Sequence, residues 1–398
     1  MKISIVGTGV QGSAIALTLT RIPEVSEIVC SDINYARAER VAQKLGDDRV
    51  RAEKVDAGNS KDLLRVIRGS DAVINATLPK FNRRVMDSAL RSGAHYVALA
   101  SDDPLGEMEL TREWEEAGLV AVVYQGGPFV MNVLVRRAAD ELDRVDEIRL
   151  RFAWRLLGGE EAIPVWSPPW CPEVALAEWL KEPLVYEGGE FRRLPTFSGI
   201  ENYRFPDPMG EAEVCFVDYE PVYTLPRFIG KGVRRVDCKI PPDKMAGALI
   251  RMGFASEKPI EVKGVEVAPR DVLFALVPKP ADTYIELLAK PEGKEALTIP
   301  PERGALTCDL AEVKGERGGK AVTRTFYRIS NSLELLNRLG IPWAGVAVPA
   351  SLTATMLASG EIDAKGAIPP EGLDPNKFLK RLEEWGITFR EKSRPGSN

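Results

Sequence analysis

Residues 2–12 read Lys2-Ile3-Ser4-Ile5-Val6-Gly7-Thr8-Gly9-Val10-Gln11-Gly12, and this stretch decides the fold. Its first five residues predict a short buried strand. The next six match G-x-G-x-x-G, and apolar residues at helical spacing follow at once with Ala14, Ile15 and Leu17. The motif carries weight because it lies between a predicted strand and a predicted helix. There the glycines let the chain turn tightly and bring backbone against a pyrophosphate. The helix N-terminus offers free N–H groups and a positive dipole end. Gly7, Gly9, Val10, Gln11 and Gly12 are therefore candidate cofactor-binding residues.

Outward from this loop, Glu27 to Ser31 predicts a second strand ending at Asp32. An acid at this position hydrogen-bonds the adenosine ribose and repels a 2′-phosphate, which points to NAD. Arg37 and Arg40 lie just beyond and leave NADP possible. A helix cap for Tyr35 to Leu45 is the plainer role for Asp32. Strands then alternate with helices: Arg51–Val55, Ala72–Asn75, His95–Leu99 and Leu119–Tyr124 as strands, with helices at 62–68, 82–92 and 107–117. This pattern predicts a doubly wound parallel (Rossmann) sheet complete near Tyr124.

Ligands of such sheets bind at the carboxyl ends of the strands. Asp32, Asp56, the run Asn75-Ala76-Thr77-Leu78-Pro79, Ala98 and the turn Gly127-Pro128 meet that condition and join the cofactor candidates. His95 opens its strand and lies at the opposite end, which points to a structural role. It is the only histidine in the 398 residues, so a polyhistidine metal site is excluded and no metal is expected.

Bulk composition sets further bounds. The length argues for more than one domain. A net charge of −5 without a basic stripe argues against nucleic acid as a partner. No apolar run approaches the roughly 20 residues of a membrane span. The first strand stands where a signal peptide would, and the five cysteines form no C-x-x-C pair, so a reducing cytoplasm is expected.

After a helix at 131–143 the pattern changes. Glu147 to Trp154 alternates strictly, with Ile148, Leu150 and Phe152 against Arg149 and Arg151, which predicts a half-buried antiparallel strand. Further strands are predicted at 214–217, 233–240, 284–289, 306–313 and 321–329, with a turn at Gly315–Gly319 and a hairpin at 260–267. Helices are predicted near 173–181 and 243–252. The region reads as an α+β domain with a mostly antiparallel sheet. From Val348 helices return, the last capped by Asp374 and ended by Gly386. The tail after Lys392 is expected to be disordered.

Four segments together resemble the saccharopine dehydrogenase-like family, which includes saccharopine reductases and lysine 6-dehydrogenases. They are Val6–Gly12 with Asp32; Asp71–Pro79 followed by Ala89–Val97; Gly127-Pro128 with Asn132; and Val348–Leu352 through Gly360-Glu361-Ile362 to Pro369–Gly372. The resemblance implies a nicotinamide enzyme acting on the C–N bond of an amino acid, as in lysine metabolism. It implies three parts: an NAD(P)-binding domain over 1–125, a substrate-binding and dimerisation domain over 126–345, and C-terminal helices over 346–398 that pack back on the first. A homodimer or higher homo-oligomer follows from it. The chain departs from the family at two positions, with Ala98 where Asp is usual and Phe129 where Gly is usual.

Such chemistry needs a neutral amine, a base to take its proton, and a nicotinamide held at attack distance. Asp102 and Asp103, just past the fifth strand beside Ser101, are the catalytic candidates; capping the next helix is the alternative for both. Asn132, opening a helix, is a candidate for binding the nicotinamide amide or substrate. A substrate carboxylate calls for an arginine fork. Arg227, in a polar-aromatic loop with Tyr219, Glu220 and Tyr223 nearby, is the first choice, and Arg155 the second. Three functions fit: a dehydrogenase of an amino acid or polyamine-like substrate; a reductase of carboxynorspermidine type that condenses an amine with a carbonyl; and a non-catalytic NAD-binding redox sensor.

Overall fold

A computed structural model describes residues 1–126, 129–157, 166–286, 288 and 304–395. The first region alternates strand and helix. Its strands are β1 (Lys2–Val6), β2 (Glu27–Asp32), β3 (Val50–Lys54), β4 (Ala72–Asn75), β5 (His95–Ala98) and β6 (Val120–Val122). Its helices are α1 (Val10–Thr20), α2 (Tyr35–Leu45), α3 (Ser60–Ile67), α4 (Asn82–Arg91), α5 (Pro104–Met108) and α6 (Thr111–Glu116). After α7 (Val130–Asp140) comes a strand-rich region with β7 (Arg144–Leu156), α8 (Pro172–Glu178), β8 (Leu184–Glu187), β9 (Glu190–Arg193), β10 (Glu201–Arg204) and β11 (Glu211–Phe216). It continues through α9 (Pro221–Ile229), β12 (Arg235–Ile240), α10 (Lys244–Arg251), β13 (Ile260–Val262), β14 (Val265–Val267), α11 (Pro269–Leu276), α12 (Pro280–Glu286), β15 (Ala305–Arg317) and β16 (Lys320–Asn331). The chain closes with α13 (Ser332–Leu339), α14 (Ala344–Ala358), β17 (Gly366–Ile368), α15 (Pro375–Glu384) and β18 (Arg390–Pro395).

The first sheet is parallel, in the order β17-β6-β5-β4-β1-β2-β3. Its central strands are buried on both faces, which is why they read as unbroken apolar runs. Ile3, Ile5 and Ile74 face one core; Val73 and Tyr96 face the other. Helix α1 is apolar around its whole circumference because α14 covers the side the sheet does not. Strand order reverses between β1 and β4. There Gly7 adopts φ +95°, and a Cβ on it would lie 2.7 Å from the Ala76 carbonyl oxygen. The glycine loop and the loop after β4 thus touch through a position only glycine fills.

The second sheet runs β10-β11-β12-β7-β15-β16-β18, with β8 also on β12 and β9 on β8. It is antiparallel except for the β7–β12 pair. The predicted alternation of β7 holds: Ile148, Leu150 and Phe152 enter the core. Arg151 on the other face is nonetheless 2 % exposed, because it pairs with Asp237 at 2.5 Å beneath the Tyr203 ring.

Several expectations change. Of the strand expected at 284–289, residues 284–286 are instead the end of helix α12, started by Pro280 and seated against α1 and α2, with Lys44 and Glu286 paired at 3.0 Å; residues 287 and 289 lie outside the described residues. The single helix of 107–117 is two, α5 and α6. Gly315 is not in the turn but inside β15, where a Cβ would meet the Arg144 carbonyl of β7; the turn is Gly318-Gly319. The tail through Pro395 is not loose: β18 pairs with β16, and Glu391 and Arg394 bond Arg324 and Glu312. A seventh strand, β17, joins the first sheet beside β6 from the far end of the chain. Among the described residues no single helix is long and apolar enough to cross a membrane.

Candidate active site

The glycine loop leaves backbone N–H groups free at the start of α1. Gly9 caps α1 with no side-chain acceptor, and the first turn carries no acidic residue. The N–H groups of that turn have no helical carbonyl to bond, and the dipole adds positive potential there. The space where a Cβ of Gly9 would project is open, whereas one on Gly12 would overlap the Gly7 carbonyl. Asp32 ends β2 and is 6 % exposed. Its Oδ2 accepts from the Thr8 N–H at 2.9 Å and the Thr8 hydroxyl at 3.2 Å, and its Oδ1 accepts from the Asn34 N–H at 2.9 Å. Asp32 therefore ties the glycine loop to β2. Asn34, not Asp32, precedes α2 as its cap residue. The Arg37 guanidinium lies 3.5 Å from Asp32 and puts a cation beside the predicted ribose site.

The loop after β4 is set by Asn75. Its Oδ1 accepts from the Thr77 N–H at 3.1 Å and hydroxyl at 2.6 Å, while its Nδ2 donates to Asn82 and Tyr96. Ala76, Thr77 and Leu78 are thereby held next to Gly7, and Pro79 starts a short 3-10 turn. Asp56 follows β3 but is exposed and closes its own turn onto the Gly58 N–H. Ala98 is fully buried at the end of β5. Gly127 and Pro128 lie outside the described residues.

Beyond β5 and β6 the interior fills with carboxyl groups. Glu107 of α5, 5 % exposed, accepts from Asn82 Nδ2 at 3.0 Å and from the Ser101 hydroxyl at 2.9 Å, both on Oε1. Glu220, before α9 and 7 % exposed, accepts from the Ser101 N–H at 2.9 Å. Glu178, at the end of α8, interacts with Tyr219 and keeps some solvent contact. Desolvation, reinforced by the neighbouring carboxylates, pushes Glu107 and Glu220 up to about 7 and Glu178 up to about 8. Among the described residues the hydrogen-bond partners of this cluster are amides, hydroxyls and backbone, and none is an arginine or lysine.

A second network adjoins it. Glu371, fully buried in the turn after β17, accepts from Asn132 Nδ2 at 2.8 Å. Asn132 Nδ2 also donates to the Tyr124 hydroxyl at 3.0 Å, which pairs with Thr224 at 2.5 Å. Desolvation raises Glu371 and Tyr124 above their ordinary values. Phe129 packs edge-on between Tyr124 and Tyr219 and so joins the two networks through a ring stack. Gln125 is 1 % exposed, and neither of its amide atoms has a partner among the described residues.

The sequence candidates divide accordingly. Asn132 and Glu220 lie in these networks. Asp103 caps α5, its Oδ1 accepting the Gly106 N–H at 3.0 Å, and Asp102 forms an exposed ion pair with Lys181 at 2.6 Å. Neither belongs to the buried cluster. Arg227 is in helix α9 rather than a loop, since Pro221 starts a helix there, and it lies exposed over the Phe191 ring. Arg155, also exposed, donates to the Pro208 carbonyl, and the Tyr223 hydroxyl is held between Asp218 and Arg193. His95 accepts the Val120 N–H on Nδ1 at the far end of the sheet. Glu107, Glu178 and Glu371 had no sequence reading as functional groups. Glu371 had a signal, since it stands in the Pro369–Gly372 segment; the other two look like ordinary helix residues.

A model of the saccharopine dehydrogenase NADP binding domain matches residues 3–122, and one of the saccharopine dehydrogenase C-terminal domain matches residues 160–387. The chain belongs to the saccharopine dehydrogenase family. Its fold is that of L-Glu-forming saccharopine dehydrogenase from Saccharomyces cerevisiae, with TM-score 0.68 at 16 % identity over 99 % of both chains. Among characterised relatives, carboxyaminopropylagmatine dehydrogenase of Synechocystis sp. is 22 % identical over 98 % of this chain and 97 % of its own. Carboxynorspermidine synthase of Vibrio cholerae is 22 % identical over 97 % and 96 %. The protein is an NAD(P)-dependent oxidoreductase acting on a C–N bond of an amino-acid or polyamine-like substrate. The non-catalytic reading gives way to this one.

Proposed function

We propose that this chain is a condensing reductase: it joins the amino group of a diamine-like substrate to the carbonyl of a second substrate and reduces the resulting C=N bond. The observation that carries the reading is the cluster of Glu107, Glu178 and Glu220, with no basic hydrogen-bond partner among the described residues. Buried carboxyl groups are normally paired with arginine or lysine. A cluster whose hydrogen bonds come from neutral donors, with the exposed Lys181 acting on it only at a distance and already paired with Asp102, suits a substrate that brings a cation of its own. The full-length likeness to enzymes named for carboxynorspermidine and carboxyaminopropylagmatine supports the same class.

Gly7, Gly9, Val10, Gln11 and Gly12 would hold the pyrophosphate, Asp32 and Arg37 the adenosine ribose end, and Asn75 to Pro79 with Ala98 the stretch toward the nicotinamide. Bound there, NAD(P)H supplies the hydride for the C=N carbon. Arg37 beside Asp32 supports acceptance of NADP alongside NAD. The remaining chemistry falls to the chain itself. The amine must lose a proton to attack the carbonyl, the carbinolamine oxygen must gain one to leave as water, and the amine product must keep one. Carboxyl groups balanced near neutrality serve such transfers in both directions. Asn132, fixed by Glu371 and Tyr124, is positioned to orient a bound group rather than to exchange protons.

The test is product analysis. Full-length protein with NADPH or NADH, 1,3-diaminopropane and an aldehyde-bearing amino acid should consume the reduced cofactor only when amine and aldehyde are both present. Mass spectrometry should find the secondary amine. Oxidation of lysine with NAD and no carbonyl partner, in the absence of such condensation, would favour the amino-acid dehydrogenase reading instead.

A further inference from the structure

Ser101 is the hinge of the carboxyl cluster. Its N–H donates to Glu220 Oε1 and its hydroxyl to Glu107 Oε1, so one residue at the end of β5 brings together carboxyls from α5 and from the loop before α9. Glu107 Oε2 is buried and has no hydrogen-bond partner among the described residues. Leaving a buried carboxylate oxygen unpaired is costly, so its presence marks a position that a donor is meant to fill. The two groups come from different regions of the chain, Glu107 from α5 beside the parallel sheet and Glu220 from the start of α9 in the strand-rich region.

We propose that Glu107 and Glu220, bridged by Ser101, form the recognition site for the primary ammonium group of the substrate and take the proton that makes it nucleophilic. This deepens the condensing-reductase reading and rests on it. The step balances: R–NH3⁺ and a glutamate carboxylate become R–NH2 and the carboxylic acid, and the nitrogen lone pair is freed. The same acid then returns its proton to the carbinolamine oxygen, which leaves as water. Two carboxyls are needed because one must stay ionised to hold the cation while the other exchanges the proton.

The surroundings fit this duty. Asp103 and the Tyr96 hydroxyl interact electrostatically with Glu107, and Asp218, Glu178, Tyr219 and Tyr124 with Glu220. Lys181 acts on both Glu220 and Glu178 from outside the cluster, where it is exposed and paired with Asp102. Both carboxyls are pushed up to about 7, chiefly by burial, so at neutral pH each is ready to lose or gain a proton.

Calorimetry of 1,3-diaminopropane binding to the full-length protein, without cofactor and with NADP⁺, tests the proposal. Each titration is repeated in two buffers of different ionisation enthalpy to count protons. At least one amino group of the diamine is fully protonated at both pH 6 and pH 8, and the second is mostly so at pH 8. Binding at pH 6 should therefore displace about one proton per site, and at pH 8 almost none, with affinity falling about tenfold per pH unit below 7. Glu107→Gln and Glu220→Gln should each weaken binding about tenfold or more and change the proton count at pH 6. Melting temperature and NADP⁺ affinity certify that the variants are folded. Proton release that is the same at both pH values, or variants that bind the diamine like the parent, overturns the site. If the parent condenses amine and aldehyde while the variants keep its amine KM, the site is wrong and the function stands. If the parent shows no condensation but binds the diamine with the predicted proton release, the function is wrong and the cation site stands.

Discussion

Glu220→Gln should stabilise the protein at alkaline pH while disabling it. A carboxyl whose folded-state pKa exceeds its unfolded value binds more protons when folded, so its contribution to stability falls as pH rises between the two values and is flat above. For Glu220 those values are about 7 and 4.5. The difference is worth at most about 3 kcal/mol once the group is fully ionised, less whatever Glu107 and Glu178 absorb by titrating with it. Glutamine keeps an acceptor for the Ser101 N–H and carries no charge. Its own packing offset is the same at every pH, so the diagnostic quantity is the slope. With 398 residues and about 2 cal/mol/K of unfolding entropy per residue, 3 kcal/mol corresponds to about 4 °C. Melting midpoints of parent and variant, measured from pH 5 to pH 8.5, should diverge in the variant's favour by up to that amount, mostly between pH 5 and 7. Parallel curves across the range would refute the claim that Glu220 is held protonated by burial.

Three further outcomes are expected. Asp32→Ala removes the acceptor that holds the Thr8 N–H, so cofactor affinity by calorimetry should fall by about 1–3 kcal/mol, and unchanged affinity would sink the ribose-end assignment. Arg37→Ala should weaken NADPH binding about tenfold and NADH binding less than twofold; equal losses would place Arg37 in loop support rather than phosphate recognition. Asp102→Asn breaks an exposed ion pair worth under about 1 kcal/mol, so turnover should stay within about twofold, and a large loss would bring Asp102 back into the chemistry.

The first sheet was legible because parallel strands buried on both faces spell themselves as apolar runs, and because Gly7 to Gly12 stand between a strand and a helix. The alternation of β7 was legible for the same kind of reason. What escaped notice depended on distant chain. Helix α12 borrows its apolar seat from α1 and α2, and β18 owes its order to Glu312 and Arg324, more than 60 residues away in sequence. In the site, Asp102 and Asp103 drew attention because they follow a strand, yet Asp103 answers to the local need of α5 for a cap. Glu107 sits a single turn further on and looks like any acidic residue in a first helical turn. Its burial is created by Asn82, Ser101 and Glu220, and no local pattern announces such a meeting. Glu220 was noticed only for its neighbours; its partner Ser101 is 119 positions away.

Strand β17 has a bearing on how the molecule is made. It lies beside β6 as the outermost strand of the nucleotide sheet, although more than 240 residues of chain separate them. A ribosome has therefore released every residue of the glycine loop, β4 and β6 long before the sheet can be completed. Until then β6 exposes an unpaired edge, and the turn that holds Glu371 beneath Asn132 and Tyr124 does not exist. Nascent chains that stop short of residue 366 would carry every cofactor motif and yet lack one wall of the site. A late-translated strand thus acts as a built-in check on completeness, closing a sheet whose other strands are made long before it.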